Sequence, residues 1–253
     1  MAFLHCDFYS DVLGFSTSMN VILPQNTKNQ IGMRSTSRRT HHPVLYLLHG
    51  LTDDHTIWHR RTSIERYAAG YDLIVIMPNV HRSFYTDMHY GYDYWTFISE
   101  ELPAVCKGFF PISTRPEDTF AAGLSMGGYG AFKLALNYPE RFAAAASLSG
   151  LMDIDAAVES RHFPHDMQLV FGNSKPRDSQ DDLFALAART SPETAPKLFQ
   201  CCGTDDSLYE QNKRFQTFAQ SLNLPLTYQE GPGGHDWEYW DRQIRLVLEW
   251  LPL

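Results

Sequence analysis

The chain has 253 residues, of which 43% are hydrophobic, and it carries a formal net charge of -8 at pH 7. This length supports one domain with a large core, and no linker, repeat or low-complexity run divides residues 1–253. The acidic balance, with no basic cluster larger than Arg38-Arg39 or Arg60-Arg61, argues against nucleic acid and anionic membranes as main partners. We therefore expect a small-molecule or neutral substrate.

Apolar segments predict the strands of a sheet in chain order. Residues 4–9 and 18–23 alternate between apolar and polar side chains, which is typical of an antiparallel pair at a sheet edge. Continuous apolar runs follow at residues 44–48, 73–77, 119–122, 143–148 and 198–202, and residues 226–229 form the last predicted strand. Because continuous runs are buried on both faces, they favour a mostly parallel sheet with helices on both sides, an α/β fold.

Two later segments depart from these apolar strand patterns. Residues 151–196 are rich in proline and charged side chains, Arg161 among them, and fit the alternation of strands and helices poorly. We interpret them as an insertion over the carboxyl ends of the strands, where such sheets bind ligands. From Trp240 to Leu251 apolar residues recur at helical spacing, which predicts an amphipathic helix packed on the sheet. Five aromatic residues are interpreted as core rather than as pocket lining, namely Trp58, Tyr85, Phe171, Trp237 and Trp240.

The main chemical motif places Ser125 between Gly123 and Gly127. It lies after the predicted strand at 119–122 and before a helix predicted over residues 128–136. A turn this tight leaves no room for a side chain at either glycine, and it holds the serine hydroxyl clear of the sheet. The sequence therefore predicts a nucleophile at a strand-to-helix elbow.

A serine nucleophile needs a base and an acid that orients the base, and in this fold they follow in the order Ser, Asp or Glu, His. Only His235 lies beyond the strand at 198–202, in a glycine-rich turn before the last helix, so we assign it as the base. Asp205 and Asp206 both qualify as the acid, and spacing alone does not choose between them. Asp153, one strand earlier, is a weaker alternative.

Two backbone N–H groups are expected to bind the oxyanion of a tetrahedral intermediate. The fold takes one donor from the residue after the nucleophile, Met126, and one from the loop after an earlier strand, Leu51. Gly50 leaves the backbone free to turn toward the acyl oxygen. His49 closes a buried strand, so we interpret it as a structural hydrogen-bonding group rather than a catalytic one.

The sequence contains no clear motif for a metal site or for a redox-active cysteine pair. His55 and His59 are four residues apart, but no glutamate follows His55 and no third ligand is evident. The cysteines, which show no metal spacing, are Cys6, Cys106, Cys201 and Cys202. We expect no cofactor, no metal, no membrane span and a cytoplasmic location, and self-association into a homo-oligomer is left open.

The chain resembles the esterase D superfamily over nearly its whole length. The motifs that carry the resemblance are Leu-Leu-His-Gly at 47–50, Tyr-Thr-Asp at 85–87, Glu-Glu-Leu-Pro at 100–103, Gly-Leu-Ser-Met-Gly-Gly-Tyr-Gly at 123–130, Cys-Gly at 202–203, Leu-Tyr at 208–209 and His-Asp-Trp-Glu-Tyr-Trp at 235–240. The likeness is greatest to bacterial tributyrin and acetyl esterases, with S-formylglutathione hydrolases and feruloyl or acetyl carbohydrate esterases as relatives. The resemblance implies that the acid is Asp206, in a Gly-x-x-Asp pattern before Leu-Tyr. Residues 151–196 match no family pattern.

The resemblance implies an α/β-hydrolase fold and a serine carboxylesterase in which Ser125, His235 and Asp206 form the triad. Leu51 and Met126 then form the oxyanion hole. The charged insertion at 151–196 predicts a small, closed pocket and therefore short acyl groups, acetyl to butyryl. S-formylglutathione hydrolysis, deacylation of sugar esters and acyl transfer to an alcohol use the same triad and stay open as alternatives. A non-catalytic binding protein of the same fold is a further alternative.

Overall fold

The computed structural model describes residues 1–27, 29, 31, 32, 37, 39–159 and 163–253. Arg38 and Arg161, which entered the charge arguments above, lie outside the described residues. The strands of this part of the chain are β1 Ala2–Ser10, β2 Phe15–Leu23, β3 Val44–Leu48, β4 Ile74–Pro78, β5 Thr119–Leu124, β6 Ala144–Leu148, β7 Lys197–Gly203 and β8 Leu226–Gly231. All of the predicted strands are present, with ends that differ by up to three residues.

The helices lie in the segments that connect these strands, except for α10, which follows β8. They are α1 Ile57–Arg61, α2 Ile64–Ala68, α3 Tyr94–Thr96, α4 Leu102–Phe109, α5 Met126–Asn137, α6 Ile154–Glu159, α7 Pro164–Phe171, α8 Leu183–Arg189, α9 Tyr209–Ser221 and α10 Trp237–Trp250. A π-helical turn, Phe97–Glu101, joins α3 to α4, and a 3-10 turn, Pro116–Asp118, precedes β5. In the described ranges no helix is long and apolar enough to cross a membrane.

Within the described part of the chain, the strands form one eight-stranded sheet in the order β1-β2-β4-β3-β5-β6-β7-β8. β1 pairs antiparallel with β2, and β2 pairs antiparallel with β4, whereas the remaining neighbours are parallel. The sequence correctly predicted both the antiparallel edge and the parallel centre. From β3 the chain first adds β4 on one side and then β5 on the other, so the direction in which strands are added reverses at β3. Ligand sites of open α/β sheets lie beyond the carboxyl ends of the strands at such a reversal.

Both faces of the sheet are covered. Tyr46 and Leu48 of β3 pack into a core shared with α5, α8 and α9, whereas Leu45 and Leu47 pack into a second core beneath α10. This is the burial on both faces that the continuous apolar runs predict. The terminal helix α10 buries its apolar stripe against the sheet, as expected from its helical spacing.

The structure divides the segment predicted as an insertion, residues 151–196. Its first part, which contains α6, borders a cavity at the carboxyl ends of the strands. Its last part, α8, packs against α5 and α9 and serves as the regular crossover helix between β6 and β7. The polar residues that precede α8, at 173–182, concealed its place in the alternation. The segment that covers the sheet end is therefore shorter than the sequence predicted.

Candidate active site

Ser125 occupies a sharp turn between β5 and α5. Its backbone has φ 53° and ψ -118°, a strained conformation for a residue with a side chain. A Cβ on Gly123 would lie 2.4 Å from the carbonyl group of Gly127, and one on Gly127 would lie 2.4 Å from the Leu48 carbonyl oxygen. Both predicted glycine constraints are confirmed: the backbone contacts leave no room for larger residues.

Three side chains from distant parts of the chain meet in a line at this turn. His235 Nε2 lies 2.9 Å from Ser125 Oγ, and His235 Nδ1 lies 2.9 and 3.1 Å from the two carboxylate oxygens of Asp206. A carboxylate only accepts hydrogen bonds, so Nδ1 carries the proton and donates it to Asp206. Nε2 is then free to accept the hydroxyl proton of Ser125. This is the geometry of a nucleophile, base and orienting acid.

The carboxyl group of Asp206 is buried and remains ionised. Burial opposes its ionisation, but the hydrogen bond and charge interaction with His235 outweigh burial, so the pKa of Asp206 lies below its ordinary value. The Leu208 N–H also donates to Asp206, at 2.8 Å. Asp206 is therefore fixed as an acceptor facing the imidazole.

The structure also separates the three candidate aspartates. Asp205 is exposed, and its backbone N–H donates to the Gly233 carbonyl oxygen at 3.0 Å. Asp153 accepts from the Ala156 N–H at 2.9 Å and from Arg214 at 2.8 Å, so it caps α6 and forms an ion pair. Of the three, the structure brings Asp206 to His235.

The two N–H groups expected to bind an oxyanion flank the serine. Met126 begins α5, and Leu51 lies in the loop that follows β3, next to β5 in the sheet. Among the described residues, neither N–H donates to another protein group. Both residues border the same cavity as Ser125. They are placed to stabilise negative charge on an acyl oxygen.

His49 is fully buried behind this loop and does not reach the serine. Its Nδ1 lies 2.7 Å from the Gly50 carbonyl oxygen, and its Nε2 lies 3.1 Å from the Val80 N. Both ring nitrogens are satisfied by backbone groups, which confirms the structural interpretation. Burial lowers the pKa of His49 to about 4, so the ring is neutral at pH 7.

A cavity of about 820 Å³ opens beside Ser125. This is larger than the small, closed pocket predicted from the polar insertion, and that prediction was wrong. The reason lies in α6, which contributes Ala156 and Ala157 to the cavity wall. Two short side chains leave the space unfilled although a helix covers it.

Two aromatic residues of α10 also border this cavity. The prediction of Trp237 and Trp240 as core is confirmed, since Trp240 is buried in the core beneath α10 and Trp237 packs against that core, but both residues also border the cavity. The ring of Trp240 meets the His235 ring edge to face, with centroids 4.8 Å apart. The helical spacing of apolar residues on α10 does not show which of them lie at the end of the sheet. It could therefore not predict that these two tryptophans border the cavity.

The segment before α3, which contains Tyr85, contacts both α5 and the loop after β3. These contacts were not predicted from the sequence. The ammonium group of Lys133, fully buried on α5, donates to the Tyr85 carbonyl oxygen at 2.6 Å and pairs with Asp181 at 2.6 Å. The Tyr85 hydroxyl in turn donates to the His49 carbonyl oxygen at 2.9 Å. These contacts tie α5, the helix after Ser125, to the loop after β3 that contains Leu51.

The two histidines considered as a half metal site do not converge on a shared group. His59 stacks on Phe3 with ring centroids 4.1 Å apart, and His55 faces His5 at 5.2 Å. In the described ranges, no group of three or more histidine, cysteine or acidic residues is arranged to hold a metal ion.

A serine at a strand-to-helix elbow on a mostly parallel sheet defines the α/β-hydrolase fold, and comparisons with known proteins agree. FphF, a fluorophosphonate-binding serine hydrolase of Staphylococcus aureus, superposes with a TM-score of 0.88 at 35% identity, over 99% of this chain and 98% of that one. An S-formylglutathione hydrolase of the same organism gives a TM-score of 0.85, also at 35% identity and with the same coverage. The protein is a carboxylic ester hydrolase.

The family follows from sequence comparison. The Esterase family model matches residues 10–251, and the chain belongs to this family. An acetyl esterase of Caldicellulosiruptor saccharolyticus is 31% identical over 99% of this chain and 98% of its own length. The resemblance to esterases seen in the sequence is confirmed.

Proposed function

We propose that this protein hydrolyses esters of short acyl groups, acetyl to butyryl, with Ser125 as nucleophile. The observation that carries the proposal is the continuous chain of contacts from Ser125 Oγ through His235 to Asp206, each step 2.9 Å long. No other arrangement of the described residues in the cavity pairs a hydroxyl with a base in this way.

The proposed reaction proceeds through an acyl-enzyme. Ser125 Oγ attacks the acyl carbonyl carbon while its proton passes to His235 Nε2, and Asp206 stabilises the imidazolium that forms. The oxyanion accepts from the Leu51 and Met126 N–H groups. When the tetrahedral intermediate collapses, His235 gives the proton to the leaving alcohol. Water, activated by the same histidine, then releases the acid.

One observation supports a short acyl group: the curated relative that is 31% identical is an acetyl esterase. The cavity wall is mainly apolar, with Thr52, Asp53 and Gln211 among its polar groups. A buried methylene contributes about 0.8 kcal/mol only in apolar surroundings, so the proposal requires the acyl chain to meet these polar groups beyond butyryl. The alcohol part of the substrate occupies the remaining volume.

S-formylglutathione hydrolysis is the second candidate, and a structural relative at 35% identity carries that activity in its name. Glutathione has two carboxylates. The described lining of the cavity includes Asp53, Asp153 and Asp236 but no lysine or arginine, and this distribution favours an uncharged leaving group. We therefore rank oxygen esters first. Sugar esters also have an uncharged leaving group and therefore remain compatible with this cavity. The cytoplasmic location and the oligomeric state stay predictions.

A panel of substrates tests the proposal. kcat/KM is measured for nitrophenyl esters from acetyl to decanoyl, S-formylglutathione, an acetylated sugar and a feruloyl ester, with Ser125→Ala as control. We expect the peak at acetyl to butyryl and a fall of at least about tenfold by decanoyl, equal to about 1.4 kcal/mol of transition-state binding. A value that rises steadily through decanoate would contradict the proposal, and a dominant rate with S-formylglutathione would favour the second candidate.

A further inference from the structure

The imidazole of His49 bridges two loops behind the oxyanion site. A carbonyl oxygen can only accept, so the 2.7 Å contact with Gly50 requires a proton on Nδ1. The Val80 N–H donates to Nε2 at 3.1 Å, which requires that nitrogen to be bare. The two contacts together define a single neutral tautomer, and full burial of the ring keeps water from competing for either bond.

The Gly50 carbonyl that His49 holds belongs to the same peptide group as the Leu51 N–H. In a planar trans peptide these two groups point in opposite directions. A donor that fixes the direction of the Gly50 oxygen therefore fixes the direction of the Leu51 N–H. The Asp53 N–H also donates to this oxygen, at 3.2 Å, which is longer than the bond from His49.

The preceding peptide group, between His49 and Gly50, is also fixed by a hydrogen bond. The Tyr85 hydroxyl donates to the His49 carbonyl oxygen at 2.9 Å, so the loop has two fixed peptide planes in succession. The absence of a side chain at Gly50 suits this close packing, because a Cβ there would lie only 2.7 Å from the Leu124 side chain. The His49 ring is the buried side chain that acts on the Leu51 peptide itself.

We propose that His49 is a positioning residue for catalysis: its Nδ1–H holds the Gly50 carbonyl so that the Leu51 N–H faces the acyl oxygen in the transition state. The inference rests on the proposed function, because it assigns the Leu51 N–H to the oxyanion hole. His49 itself touches no reacting atom.

Two substitutions separate the two bonds of the ring. His49→Asn keeps a donor at the place of Nδ1 and loses the acceptor for Val80. His49→Gln keeps an acceptor at the place of Nε2 and loses the donor to Gly50. A residue that only supports the fold would respond alike to both changes, whereas a positioning residue responds to the loss of the Gly50 bond.

We expect His49→Gln to lower kcat by about 30-fold to 100-fold with KM within about threefold, because a misdirected oxyanion donor weakens transition-state binding alone. His49→Asn should stay within about tenfold of the parent. A trifluoromethyl ketone, which Ser125 converts to a hemiketal oxyanion, should bind more weakly to the Gln variant, with a raised pKa of the hemiketal hydroxyl. Equal losses in both variants with an unchanged hemiketal pKa would overturn the proposal, as would parental kcat in His49→Gln.

The parent protein provides a test that does not depend on the folding of a variant. Negative charge at the Leu51 N–H polarises the shared peptide and strengthens the bond from His49 to the Gly50 oxygen. In proton NMR, the His49 Nδ1–H resonance should move downfield when the trifluoromethyl ketone adduct forms. An unmoved resonance in a fully formed adduct would overturn the positioning role. Failure to form any adduct on Ser125 would instead overturn the proposed function.

Discussion

The elbow around Ser125 and the cavity wall formed by α6 differ in what fills the space beside them. At the elbow, backbone meets backbone, and a Cβ on Gly123 or Gly127 would lie 2.4 Å from main-chain atoms. At the wall, Ala156 and Ala157 border a cavity of about 820 Å³. Close backbone contact permits a single residue type, whereas open space accepts many.

Under the proposed function, this difference separates the reaction from the choice of substrate. The proposed nucleophile is held by main-chain geometry, which leaves a strong signal in the sequence. The proposed choice of substrate depends on the size of a few side chains on a short helix, which leaves almost no such signal. Substitutions at the two places should therefore have different effects.

The largest effect is expected at Asp206, the buried carboxylate after β7 that reaches the elbow through His235. Asp206→Asn should lower kcat by about 10³-fold to 10⁴-fold, because the imidazole loses the charged group that orients it and stabilises its protonated form. Asp205→Asn, next to it but exposed, should cost less than about tenfold. Steady-state kinetics on a nitrophenyl acetate decide the matter, and the reverse ranking would show that the acid has been assigned to the wrong residue.

Acid should destabilise the protein through His49. The pKa of this histidine is lowered by burial to about 4, below its ordinary value of 6.5. Between these values the unfolded chain binds a proton that the folded protein does not, so stability is full above about pH 6.5 and falls as pH drops toward 4. The loss amounts to about 3 kcal/mol at the acidic end.

Urea unfolding between pH 7 and pH 4 measures this loss. His49→Asn removes one titrating group and should reduce the dependence on pH, whatever its stability at pH 7; His55, whose pKa burial also lowers, accounts for part of the remainder. A slope in the variant as steep as in the parent would show that other groups account for acid sensitivity.

The close contact at the elbow should tolerate no methyl group. Gly127→Ala places a Cβ against the Leu48 carbonyl oxygen and should lower the free energy of unfolding by at least about 2 kcal/mol, with loss of activity. Gly108 in α4 is the matched control, since nothing lies within 4 Å of a Cβ there. Gly108→Ala should raise stability by about 0.5 to 1 kcal/mol. Thermal or urea denaturation that failed to separate the two variants would refute the contact argument.

The smallest effect is expected at the wall. Ala156→Phe fills part of the cavity and should lower kcat/KM by about tenfold for an acetyl ester with a bulky alcohol while sparing ethyl acetate. Ala188→Phe, on the exposed surface of α8, serves as the control and should change neither rate. Equal losses for both substrates would place the effect on Ser125 rather than on the volume of the cavity.

The sequence predicted which residues the structure brings together at the candidate site, because most of them have a local signature. Ser125 lies between two obligatory glycines, and His235 is the histidine that follows the last buried strand of the parallel centre. Asp206 needed the family resemblance, since Asp205 has the same local surroundings. The structure distinguishes the two by burial, which depends on how the loop folds back on β7.

The rest depended on contacts between residues far apart in the chain. Tyr85 reaches the carbonyl of His49 across 36 positions, and Lys133 is buried against the Tyr85 segment. The periodicity of apolar residues in the sequence carries no information about contacts between residues so far apart. Two alanines that border the cavity lie on α6, a helix of six residues whose sequence gives no sign that it covers a site. The many prolines and charged residues of 151–196 suggested one insertion over the strand ends, and this interpretation missed α8 as a crossover helix.

The proposed reaction depends most directly on Ser125 as the nucleophile. Treatment with an organophosphate, followed by intact-mass measurement and peptide mapping, should show one adduct per chain, located on Ser125. The Ser125→Ala variant should form none and should lose at least about 10³-fold in turnover while keeping its fold. An adduct on another residue, or a Ser125→Ala variant with activity within tenfold of the parent, would contradict the account.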